Sequence, residues 1–189
     1  TGTPWVTPRI FQAVTAAAEA TLAAAVEYAG HPELGQDAAL RAGCPAAGVP
    51  LTESLSEAAR ACDVLIDFSA PDNLPRTAAA AAEAGCALVV GTTGLGAAQL
   101  ELLRTTAARI PVVQSANYSI GVNILLDLVR KTAQLTGDDF DIEITEAHHR
   151  HKKDAPSGTA LALRNAVTDT LGRDPETVTR HGRQGITGE

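Results

Sequence analysis

The sequence predicts an α/β fold, a doubly wound parallel sheet followed by a second, smaller α+β domain. Three observations carry this. Short runs that are apolar almost throughout, at residues 63–68, 87–90 and 111–114, are separated by helix-like stretches. Strands of that kind are buried on both faces, and helices between them force parallel pairing. After Tyr118 the texture changes. Phe140, Ile142 and Ile144 alternate with Asp141, Glu143 and Thr145, the pattern of a strand with one wet face. A domain boundary is therefore expected near Ser119, giving domains 1–118 and 119–189.

Each element follows from local signals. Residues 8–20 read as a helix, and residues 22–26 as a short strand ending at Glu27. Residues 30–50, rich in Gly and Pro, read as a loop, leading into a short helix at 53–60. After the strand at 63–68, Pro71 opens a helix that Gly85 stops, since Pro suits a first turn and Gly a left-handed cap. The strand at 87–90 is closed by Gly91-Thr-Thr-Gly94. A helix at 97–109 and a strand at 111–114 complete the first domain. The second has a long amphipathic helix at 121–134, the alternating strand at 140–145, a helix at 159–171 and a strand near 177–181.

Composition narrows the function. The formal net charge of −7 opposes binding to nucleic acid or to an anionic membrane surface. Aromatics are only 3% of residues, so the core is built from Ala, Val and Leu, which suits helices packed closely on a sheet. Cys44, Cys62 and Cys86 show no C-x-x-C spacing and an odd count, pointing to buried thiols in a reducing compartment. With neither a bilayer-spanning run nor a signal peptide in view, the expected location is cytoplasmic.

Four features carry chemistry. Gly91, Thr92, Thr93 and Gly94 follow a strand directly, where small residues let a ligand approach the backbone. Ser115, Ala116, Asn117 and Tyr118 end the next strand; ligands of open α/β sheets bind at such adjacent strand ends. Glu27, at another strand end, suits the hydroxyls of an adenosine ribose. The fourth is Glu146-Ala-His-His-Arg-His-Lys-Lys-Asp-Ala-Pro-Ser-Gly-Thr159, which packs three imidazoles and three cations into six consecutive residues before a helix start. Crowded like charges oppose one another's protonation, which suits a proton donor at neutral pH. Ser157, Gly158 and Thr159 begin the helix, whose free N–H groups and dipole favour a carboxylate. Cations beside such an anion site describe a pocket for a compact dianion. Taken one at a time, each feature also has a plain reading: a strand-to-helix turn, a surface Glu, an N-cap serine, a solvated basic loop. No metal site is expected, because no carboxylate or cysteine completes one at a recognised spacing.

Together these motifs resemble the dihydrodipicolinate reductase family, also called 4-hydroxy-tetrahydrodipicolinate reductase. The stretch EAHHRHKKDAPSGTA at 146–160 is highly specific, and GTTG at 91–94 and SANYSIGVN at 115–123 fall upstream in the right order. The resemblance covers residues 8–189. It implies a Rossmann-like domain without its first strand and a truncated substrate-binding and oligomerisation domain, because the family has a further strand before Thr1 and further sheet strands after Glu189. It implies NAD(P)H-dependent reduction of 4-hydroxy-tetrahydrodipicolinate in lysine (diaminopimelate) biosynthesis. His148 would be the acid/base residue and Lys152 the proton donor. His149, Lys152, Ser157, Gly158 and Thr159 would hold the substrate carboxylates. Gly91, Thr92, Thr93, Ser115, Ala116, Asn117 and Tyr118 would line the nicotinamide, and Glu27 the ribose. The family forms a homotetramer. Two positions qualify the cofactor half. The segment 1–7 carries one glycine where the family's phosphate loop has several, and Tyr28 stands where users of NADPH tend to carry a basic residue, which favours NADH. Three readings compete: a non-catalytic fragment or pseudoenzyme that keeps the dicarboxylate pocket, another nicotinamide-dependent amino-acid dehydrogenase, and a cofactor-free regulatory module.

Overall fold

The computed structural model describes residues 6–148, 150, 152 and 154–188. The chain divides into two compact units, Thr1–Ser115 and Ala116–Glu189.

The first unit runs α1 (Val6–Ala16), β1 (Ala25–Val26), α2 (Ala38–Arg41), β2 (Leu51–Thr52), α3 (Leu55–Ala61), β3 (Val64–Asp67), α4 (Leu74–Ala84), β4 (Ala87–Val90), α5 (Ala97–Ala107) and β5 (Val112–Gln114). All its named strands pair in parallel, β1 with β2, and β3–β4–β5 in that order. Two α-crossovers, through α4 and α5, therefore build the three-stranded sheet, as the alternating pattern requires. The β1–β2 pair is a separate sheet, with no strand between it and β3 among the described residues.

The core follows the two-residue period of the strands. Leu65, Leu88, Val90 and Val112 point to one face, where Leu74, Ala78 and Ala81 of α4 and Leu103 of α5 close over them. Leu74, Leu88 and Val90 are completely buried. The opposite face differs from the expectation of cover on both sides, since Val64, Ile66 and Val113 are 41–55% exposed. Apolar strands record the burial that a face is built for, not the packing present in a given stretch of chain.

Pro71 opens a 3-10 turn, Pro71–Asn73, before α4 proper. Gly85 ends α4 with φ +71°, and Cys86 N–H then donates to Ala81 C=O at 3.0 Å. That left-handed cap is what a glycine supplies without steric cost. In the 30–50 loop, Asp37 caps α2 through Ala39 and Leu40 N–H and also accepts from Ala47 and Gly48, which ties the loop's two ends together.

The cysteine thiols are unbonded; Cys44 and Cys86 are buried. The Cys62 and Cys86 sulfurs lie 3.5 Å apart. Burial, reinforced by Cys62 beside it, pushes the Cys86 thiol up to about 12. A thiol attacks only as thiolate, so Cys86 is expected to resist iodoacetamide at pH 8 in the folded protein and react only after denaturation. Mass-mapped alkylation of native Cys86 at a rate equal to a free thiol would contradict that assignment.

The second unit runs α6 (Ile120–Thr136), β6 (Asp154–Ala155), α7 (Gly158–Leu171), α8 (Pro175–Val178) and β7 (Gly185–Ile186). Helix α6 packs on α7, and β6 pairs antiparallel with β7. Two expectations are corrected here. Residues 140–145 form no strand, because no backbone segment among those described lies alongside to complete a ladder; Phe140, Ile142 and Ile144 remain exposed. Of the strand expected near 177–181, Thr177 and Val178 instead end the short helix α8, which Asp174 caps by accepting from Glu176 N–H and which Pro175 opens, and 179–181 have no regular structure. No helix among the described residues is long and apolar enough to cross a membrane.

Candidate active site

In the first unit the C-terminal ends of β3, β4 and β5 stand in line. Gly91 N–H donates to Asp67 C=O at 2.8 Å, and Ser115 N–H to Val90 C=O at 3.1 Å. This brings Gly91 and Ser115 to one edge of the sheet, as a parallel sheet must when consecutive strands are neighbours. Gly91 is buried, and a Cβ there would come closer than 3.0 Å to three carbons of the Phe68 ring. The Thr92 hydroxyl is buried against Asp67, at 3.3 Å from Oδ1, while Thr93 is exposed. Glu27 follows β1, held by its N–H to Thr52 C=O at 2.9 Å. The exposed Tyr28 ring meets His31 edge to face at 5.0 Å.

Sequence reasoning missed Asp67 and Ser69 at this edge. Asp67 Oδ1 accepts from Ser69 N–H at 2.8 Å, yet Asp67 Oδ2 and Ser69 Oγ are buried with no hydrogen-bond partner. Buried polar atoms are rarely left so. A serine donor and a carboxylate acceptor at strand C-termini fit the polar groups of a dinucleotide. A polar pair ending an apolar strand was the available signal.

In the second unit the histidine loop returns onto the start of α7. Ser157 caps α7, its Oγ accepting from Ala160 N–H at 3.1 Å. The same hydroxyl donates to Glu146 Oε2, and Ser157 N–H donates to Glu146 Oε1 at 2.7 Å. His148 Nδ1 lies 3.5 Å from Glu146 Oε2. Asn117 Nδ2 donates to Thr159 Oγ1 at 3.3 Å, Asn117 Oδ1 accepts from Ser119 N–H at 2.8 Å, and Asn123 Nδ2 donates to Asn117 C=O at 3.0 Å. The motif 115–118 thus reaches the helix start through Asn117. Ala116 and Tyr118 are exposed beside it. Gly158 and Thr159 N–H groups have no acceptor among the described residues, which leaves them at the positive end of a fourteen-residue helix. A cavity of about 1070 Å³ opens here, lined by Glu146, His148, Arg150 and Lys152 among others. His149 lies outside the described residues, as does the glycine-poor segment 1–5.

Burial works to raise the Glu146 carboxyl, but the two Ser157 hydrogen bonds and the positive charges of His148 and Lys152 outweigh it and hold the group below its ordinary 4.5. A carboxyl lowered in the folded state contributes stability that is complete above its unfolded value and is lost as pH falls through the folded one. Wild-type protein is therefore expected to lose Tm between pH 5 and pH 3 faster than Glu146→Gln. Parallel Tm profiles for the two would remove Glu146 from the acid transition.

Similarity to known proteins covers both units. Residues 6–118 match the family model for the dihydrodipicolinate reductase N-terminus, and residues 121–188 the model for its C-terminus. The chain is 49% identical over 180 residues to 4-hydroxy-tetrahydrodipicolinate reductase of Alkalilimnicola ehrlichii, covering 95% of this chain and 67% of that protein. It is 49% identical to the enzyme of the same name from Halorhodospira halophila, over 89% of this chain and 63% of the relative. The relative of that name from Acinetobacter baumannii is 49% identical over 88% of this chain and 61% of its own length. The chain thus spans about two thirds of the length of these curated relatives. Among solved structures, a dipicolinate-bound dihydrodipicolinate reductase from Paenisporosarcina sp. TG-14 superposes with a TM-score of 0.62 at 26% identity, over all of this chain and 70% of that one. Two family models that divide nearly the whole sequence between them, and relatives at this identity, establish that the chain belongs to the dihydrodipicolinate reductase family.

Proposed function

We propose that the protein reduces 4-hydroxy-tetrahydrodipicolinate to tetrahydrodipicolinate with NADH or NADPH, a step of lysine biosynthesis through diaminopimelate. The observation that carries this is the open start of α7. Its Gly158 and Thr159 N–H groups have no acceptor among the described residues, and Glu146, His148 and Lys152 border a cavity that Pro156 and Ala160, on either side of that helix start, also line. A dicarboxylate meets both an anion-binding helix end and a cation there. The dipicolinate bound to the Paenisporosarcina relative is a compact aromatic dicarboxylate and supports the same substrate class.

The roles divide by chemistry. Gly158 and Thr159 hold one carboxylate, with His149 and Lys152 completing the dianion pocket; Ser157, expected to bind substrate, gives both its N–H and its hydroxyl to Glu146 and shapes the pocket instead. The nicotinamide supplies the hydride. Loss of the 4-hydroxyl as water gives the conjugated ring imine; Lys152 and His148 polarise that imine, stabilise the electron-rich product of hydride addition, and deliver the proton. Gly91, Thr92, Thr93 and the 115–118 turn border the nicotinamide, and Glu27 takes the ribose hydroxyls. With Tyr28 rather than a basic residue next to Glu27, NADH is the favoured cofactor.

We also assign a homotetramer, which the exposed Ile124, Leu128, Phe140, Ile142, Ile144 and Ile186 support, and a cytoplasmic location, in keeping with three unbonded thiols. Light scattering after size exclusion should return four times 19.5 kDa; a monomer mass rejects the assembly.

The direct test is oxidation of NADH and of NADPH by this chain with freshly generated substrate. Turnover with the cyclic imine-dicarboxylate and none with acyclic amino acids is expected. Binding of dipicolinate without detectable NADH binding, by calorimetry, would instead establish a pseudoenzyme.

A further inference from the structure

Two hydrogen-bond donors and an imidazole nitrogen converge on one side chain in the second unit, and the proposed mechanism gives that side chain no role. Ser157 N–H reaches Glu146 Oε1 at 2.7 Å, the Ser157 hydroxyl reaches Oε2, and His148 Nδ1 stands 3.5 Å from Oε2. The last spacing is one from which a catalytic hydrogen bond tightens when ligand binds. Only a carboxylate offers an acceptor oxygen to each of the two Ser157 donors; a carboxamide offers one, and its NH₂ would face a donor.

Glu146 also divides the start of α7 between two anions. It takes the Ser157 donors itself and leaves Gly158 and Thr159 N–H to an external carboxylate. Ser157 is the hinge of this arrangement, because its Oγ accepts from Ala160 N–H while donating to Glu146. The imidazole is thereby anchored to the same helix end that receives the substrate.

We infer that Glu146 is a positioning residue: it ties His148 to the capped start of α7 and directs Nδ1–H toward itself, so that Nε2 is the nitrogen presented for proton transfer. This rests on the reading of His148 as the acid/base group, but the arrangement has its own observable. A carboxylate on Nδ1 selects one tautomer and one ring orientation.

The test is ¹⁵N NMR of the ring nitrogens of His148 in the wild-type chain, assigned by loss of its signals in His148→Gln, alongside steady-state kinetics of Glu146→Gln. The neutral wild-type ring is expected to carry its proton on Nδ1, and Glu146→Gln to shift the population toward Nε2–H. Turnover per folded molecule should fall at least about tenfold in Glu146→Gln, with the KM for NADH within about twofold. A wild-type ring protonated on Nε2 overturns the inference, and so does a folded Glu146→Gln with unchanged ring signals and turnover. If Glu146→Gln does not fold, the wild-type tautomer alone decides. Should wild-type protein bind dipicolinate but reduce nothing, the proposed activity fails while the ring-nitrogen result still settles the role of Glu146.

Discussion

Lys152→Ala is expected to lower turnover by roughly 10²- to 10⁴-fold, the usual range for losing a positioned proton donor, while the Kd for NADH stays within about twofold. The physical basis is a separation of tasks. Lys152 is half-buried at the cavity beside the α7 start, and its charge acts on Glu146. The strand-end residues proposed for the nicotinamide belong largely to the other unit, Gly91, Thr92, Thr93 and Ser115 all preceding its limit. On the role proposed for Lys152, its removal takes away an interaction stronger in the transition state than in the ground state, so the loss is expected to fall on kcat. Stopped-flow hydride transfer with saturating substrate, together with calorimetry for NADH, checks both halves. Equal losses in turnover and cofactor affinity would remove Lys152 as the proton donor.

Gly91→Ala is expected to cost about 1–3 kcal/mol of stability, the range for forcing an extra carbon into a packed site, and to weaken NADH at least tenfold. Gly91 is buried where β4 ends, and the added Cβ would fall against Cδ1, Cε1 and Cζ of Phe68. Phe68 lies between Asp67, whose carboxylate contacts the Thr92 hydroxyl, and Ser69, whose hydroxyl is one of the two buried unpartnered polar groups. A ring that swings away to admit the methyl group must disturb the neighbours that line the strand ends. Urea unfolding measures the first effect and calorimetry with NADH the second. If affinity is unchanged in a destabilised but folded variant, Gly91 serves packing alone and the nicotinamide lies elsewhere.

These two positions differ in how they could be read. Lys152 stands in a motif whose charge density and following Pro-Ser-Gly-Thr are visible letter by letter. Gly91 was visible as a small residue after a strand, but its contact with Phe68 joins residues 23 positions apart, and no local pattern records it. Glu146 is the sharper case. It marked only the beginning of a motif, and its pairing with Ser157 depends on the loop folding back on itself. Asp67 and Ser69 escaped notice for a related reason: a polar group without a partner is a property of its surroundings.

The strands show the same division. Those at 64–67, 87–90 and 112–114 were legible because burial among helices demands apolar residues wherever such a strand lies in sequence. The alternation at 140–145 was equally clear, yet no strand forms there among the described residues, because pairing needs a partner that a pattern does not contain. Near 177–181, β-branched residues suggested a strand, and the Asp174 cap with Pro175 decided for a helix.

The linear sequence by itself determined the parallel α/β organisation and the family, since these rest on periodicity, composition and a motif read in order. Tertiary structure alone decided that Glu146 takes the Ser157 donors, that Gly158 and Thr159 N–H find no acceptor among the described residues, and that Asp67 Oδ2 and Ser69 Oγ lie buried and unpartnered. Hydrogen-bond satisfaction and burial are set by which distant residues meet, and that information exists only once the chain has folded.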